Sequence, residues 1–87
     1  DPVIALNRAL ALAKVEGSSA GLAALASLPG ERLAGFLPFH AARADLLRKA
    51  GDFAAARAAI DQALALDPAP AERRFLEAER QSLGEAR

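Results

Sequence analysis

Apolar residues recur along this chain at intervals of three and four, and short polar or helix-breaking clusters interrupt them. Leu22, Leu25 and Leu28 follow one another at three-residue steps until Pro29-Gly30. Phe53, Ala56, Ile60 and Ala63 keep the same rhythm until Asp67-Pro68. This is the spacing of a helix face, and the alternation of half-buried strands is missing. The pattern predicts an all-α chain.

The punctuation divides it into elements. Asp1 is placed to cap a first helix with Pro2 at its first position, running to about Val15 and ending near Glu16-Gly17. Ser18 or Ser19 is the expected cap of a second helix, which Pro29-Gly30 breaks. Glu31 to Gly35 predicts a short helical turn. A third main helix follows from about Pro38 to Ala50, with Phe39, Ala42, Leu46 and Leu47 inward. A fourth runs from Phe53 to Leu66, and a fifth starts at Ala69-Pro70 with Phe75, Leu76 and Leu83 as its apolar side. In the first helix Ile4, Leu6, Leu10 and Leu12 cover more than one face, which predicts burial from two sides.

Two parts of the chain resemble each other. Arg8-Ala9, Leu12, Lys14 and Gly17 match Arg43-Ala44, Leu47, Lys49 and Gly51, with one extra residue in the first copy. The second copy, GDFAAARAAIDQALALDP from Gly51 to Pro68, has a turn glycine, a cap at Asp52, small residues at a helix crossing and a proline exit. A glycine spacing of 34 residues is the period of tetratricopeptide (TPR) helical hairpins. The expected fold is therefore all-α and TPR-like: two antiparallel hairpins plus a capping helix in an α-α superhelix. Residues 1–36 form a degenerate first hairpin, with Gly21 or Leu22 at the site of Ala56; 37–70 form the repeat and 71–87 the cap, all within one domain of 87 residues.

Composition narrows function mainly by exclusion. The chain is 53% hydrophobic and 25% charged, so it should fold. Eleven basic and eleven acidic residues cancel, which gives no electrostatic reason to bind nucleic acid or an anionic membrane. With no cysteine there is neither a disulfide nor a thiolate metal site, and the cytoplasm is the expected compartment. The absence of methionine and the start at Asp1-Pro2 lead us to expect a domain of a longer protein.

Catalytic side chains are scarce. The one histidine, His40, occupies a packing position, where a buried, hydrogen-bonded structural role is expected. A metal-binding or hydrolytic site would need Asp45 or Asp52 to join it, and neither stands three or four residues from it. No catalytic residue, cofactor or metal ligand is assigned. Arg43, Arg48 and Lys49 form a basic stripe whose simplest role is to complement the end of a helix dipole. Glu72 to Arg80 reads as a solvated face with ion pairs such as Arg73 with Glu77.

The strings PVIALNRALALAKVEG, GLAAL, RLAGFLPFHAARADLLRKAG and PAERRFLEAE resemble the TPR-like C-terminal extension of a group of extracytoplasmic-function RNA polymerase sigma factors. The likeness runs from about Pro2 to Leu83, and Leu6–Ala9 and His40–Leu47 are its most specific parts. Ala65-Leu66-Asp67-Pro68 departs from the family, where Gly and Asn are common at this exit. The resemblance implies a regulatory, protein-binding tail acting in transcription initiation. Its expected partners are the sigma regions of the same chain, RNA polymerase or a regulator, with no direct contact to nucleic acid or membrane. The alternative is a generic TPR scaffold of an unrelated bacterial protein.

Two protein-binding surfaces are expected. One is a face of the first helix including Leu6 and Leu10, which in the isolated chain could meet a second copy. The other is an inner groove with Asn7, Arg8, Asp45, Arg48 and Lys49 as its polar contacts.

Overall fold

In the computed structural model, which describes residues 1–85, local capping chemistry sets most of the helix boundaries. The Asp1 carboxylate accepts the Val3 backbone N–H at 3.0 Å and opens α1 (Pro2–Glu16). Asp52 accepts the Ala55 N–H and opens α5 (Phe53–Leu64). Between them lie α2 (Ser18–Ala26), the one-turn α3 (Gly30–Leu33) and α4 (Leu37–Lys49). The last element is α6 (Pro70–Glu85); residues 86–87 of the expected cap lie outside the described residues. Among the described residues the chain is six helices with no strand.

The two glycine turns use different geometry. Gly51 has φ 86°; its N–H reaches Arg48 O and the next N–H, of Asp52, reaches Leu47 O, at 3.0 and 2.9 Å. This pair of bonds satisfies the last carbonyls of α4 and needs a left-handed residue at the glycine. Gly17 has φ 102° and ψ 168°, and α2 begins at the next residue. Ser18 therefore falls inside α2 and no serine side chain caps it, contrary to the sequence expectation. Gly17 itself takes the cap position of α2, and without a side chain it offers no acceptor to the first backbone N–H groups.

The core lies between successive helices. α1 packs on α2, α2 on α4, α4 on α5 and α5 on α6, while α1 meets α4 only narrowly. Neighbouring leucines on α4 serve different sides. Leu46 joins Leu6, Ala9 and Leu25. Leu47 joins Ala44, Ala56, Ala59, Ile60, Ala63, Leu76 and Leu83. The central helix is thus the shared wall of two apolar clusters.

Buried small residues recur at a constant shift. Ala9 and Gly21 are buried in the first part, and Ala44 and Ala56 in the second, each 35 positions on. Leu25 and Ile60 follow at the same shift, 3% and 0% exposed. A Cβ on Gly21 would overlap that of Ala13, whereas Leu22 is only half-buried. At that shift Gly21, not Leu22, stands in register with Ala56.

Three expected packing assignments change. Phe75 is 57% exposed, because Leu76 and Leu83, seven residues apart, already fill the side of α6 that faces α5. On α1, Ile4 is 55% exposed and Leu6 only 3%, so the helix is buried on one side. α5 ends two residues before the expected Leu66, with Asp67 at φ 57° in the exit turn.

Candidate functional site

Lys14 of α1 and Lys49 of α4, 35 positions apart, stand on the rim of a surface groove. This groove of about 290 Å³ is lined by Leu10, Ala13 and Lys14 of α1, Ser18 of α2, and Ala42, Asp45, Leu46 and Lys49 of α4. Small side chains at 13, 18 and 42 keep it open, and Leu10 and Leu46 form its apolar wall.

Charge at the rim is organised by Asp45. Its carboxylate accepts Arg48 Nη2 at 2.7 Å and pairs with Lys49 Nζ at 3.0 Å. Partial burial pushes the Asp45 carboxyl upward, but hydrogen bonds from Arg48 and Lys49 outweigh it and hold the group below the ordinary carboxylate range. Among the described residues Lys14 has no ion-pair partner. The first fifty residues carry six basic against four acidic groups, and the remainder five against seven. The groove lining itself carries Lys14 and Lys49 against Asp45.

The expected contact residues divide. Leu10, Asp45 and Lys49 converge on the groove. Asn7, Arg8 and Arg48 are exposed but do not line it. Leu6 is in the core, where it holds α1 to α2 and α4, and offers no free surface. Lys14, Ser18 and Ala42 were not anticipated. The Lys14–Lys49 correspondence was visible in the repeat, but that both side chains face one groove depends on how the helices pack.

A second recess of about 200 Å³ lies between α2 and α4, lined by Leu22, Leu25, Ala26, Phe39, Arg43 and Leu47. Its lining is mostly apolar, with Arg43 as the charged residue.

His40 is 7% exposed and its Nε2 donates to Ala34 O at 2.8 Å, since a carbonyl only accepts. That bond ties the turn after α3 to the start of α4. Nδ1 is buried without a hydrogen-bond partner, and the ring meets Phe39 edge-on. Among the described residues no three His, Asp or Glu side chains cluster as a metal site would require. No helix among the described residues is long and apolar enough to cross a membrane.

Over 65 residues the chain is 48% identical to an uncharacterized protein of Rhizobium meliloti (strain 1021), a stretch that is 75% of this chain and 15% of that relative. The chain thus spans about a seventh of the relative's length. No protein-family profile matches it, and no solved structure is significantly similar.

Proposed function

We propose that this chain is a TPR-like protein-interaction domain, the regulatory C-terminal extension of an extracytoplasmic-function sigma factor. The observation that carries the helical-repeat part is the recurrence of buried Ala9, Gly21 and Leu25 as Ala44, Ala56 and Ile60, 35 positions on. A repeat built this way buries one layer against the next and leaves a groove for a partner segment. In this reading α1–α2 and α4–α5 are two hairpins and α6 is the cap. Leu10, Lys14, Asp45 and Lys49 are its contact residues, and its partners are protein: the sigma regions, RNA polymerase or a regulator.

The sigma-factor part rests on the sequence strings, and one structural detail supports it. The departure at Ala65–Pro68 is one of residue type, since Asp67 takes the left-handed conformation that Gly and Asn favour. We assign no catalytic residue, cofactor or direct nucleic-acid contact, and place the domain in the cytoplasm.

Transcription assays with the complete natural polypeptide test the proposal. It should bind core RNA polymerase and direct initiation, and removal of residues 1–87 should alter that activity. A polypeptide that neither binds polymerase nor supports initiation would leave the generic TPR scaffold as the better reading.

A further inference from the structure

The outward side of α1 carries Ile4, Arg8, Ala11 and Val15 at steps of four, three and four, a single stripe opposite the side of buried Leu6 and Ala9. Ile4 is 55% and Val15 83% exposed. The 35-residue shift maps Ile4, Arg8 and Ala11 onto Phe39, Arg43 and Leu46 of α4. In α4 those three positions face α2: Phe39 and Arg43 line the recess with Leu22, Leu25, Ala26 and Leu47, and Leu46 Cδ1 lies 3.0 Å from where a Gly21 Cβ would stand; the counterpart of Val15 is Ala50, just past the end of α4. Arginine occupies the middle position in both copies.

We propose that the Ile4–Arg8–Ala11–Val15 face of α1 seats one further helix of the α2 kind, supplied by an additional hairpin of the same polypeptide. The proposal rests on the helical-repeat reading. The molecule contains the template of the interface: α2 on α4 shows what covers these positions when a preceding hairpin is present. The occupant is accordingly an apolar helix with small and leucine side chains toward α1, close enough to cover the aliphatic stem of Arg8 while its guanidinium stays at the edge. The Rhizobium relative has most of its length outside the matched stretch, so a chain of this kind has residues to supply such a helix.

The chain has no cysteine, so an introduced thiol reports on one position. Ala11→Cys is made in the 87-residue chain and in the complete natural polypeptide, and labelling by a maleimide is located by mass spectrometry. The proposal expects labelling at least about tenfold slower in the complete polypeptide than in the isolated chain, at every protein concentration. Equal rates would overturn it. Slowing that appears in the isolated chain as concentration rises would assign the face to a second copy and also overturn it. Leu46→Cys, with Leu25→Cys if the first does not fold, marks the α2–α4 interface and should be slow in both. Fast labelling there would instead reject the repeat reading itself.

Discussion

A side chain on Gly21 would overlap the Cβ of Ala13, where α2 packs against α1. The Ala13 methyl is fixed to its backbone, so it cannot swing aside as the end of a long side chain would. Alanine is the better helix former by about 1 kcal/mol, but separating the two helices should outweigh that gain. Gly21→Ala is therefore expected to destabilise by about 1–3 kcal/mol in urea unfolding. Gly84→Ala, where an added Cβ meets nothing within 4 Å, should cost nothing.

Ala56 is fully buried at the corresponding place on α5, among Ala44, Leu47 and Ile60. Ala56→Leu adds volume where no space exists and should cost about 1–3 kcal/mol. An unchanged urea midpoint would mean that Ala56 is not in the packed interface.

The two left-handed residues should respond to substitution through their backbone. Gly51 has open space around it, so Gly51→Ala costs conformational strain alone, about 1–2 kcal/mol. Asp67→Asn keeps a residue suited to that geometry and should be near neutral, whereas Asp67→Val should destabilise. Thermal unfolding of the three variants gives the ranking.

Stability should fall on acidification. Arg80 hydrogen-bonds Asp61 and holds its carboxyl below the ordinary range, and Arg48 with Lys49 does the same at Asp45 against the effect of burial. A folded-state pKa below the unfolded one stabilises above the unfolded value, and the contribution disappears as pH drops through the folded value. Melting temperatures should therefore decline below about pH 4. Asp61→Asn should flatten part of that decline, and an identical pH profile would remove the pair from the account.

Local chemistry made most helix ends legible. Asp1, Asp52, Gly51 and the prolines at 2, 38 and 70 act on backbone within a turn of themselves, so their effect can be read without knowing the packing. The turn at Gly17 was harder, because α1 runs to Glu16 and Gly17 itself takes the cap position of α2, ahead of both serines. Burial along α1 was obscured by aliphatic residues on every side: Leu6 and Ile4 look alike in sequence and differ only in whether α2 and α4 reach them. The same holds at Phe75 and Leu76. Of the candidate site, Asp45 and Lys49 were legible as groove residues, whereas Leu10 was expected on a separate face of α1. Lys14 belongs with them only because α1 and α4 lie side by side across the groove.

The central claim is that residues 9–28 and 44–63 are the same structural unit, shifted by 35 positions with Gly21 at the place of Ala56. Nuclear Overhauser contacts in the labelled 87-residue chain test it most directly. The account predicts contacts from Gly21 Hα to the Ala13 and Leu46 methyls, and from the Ala56 methyl to the packed side chains of α4. If Leu22 instead holds the Ala13 contact and Gly21 faces solvent, the 35-residue register is wrong.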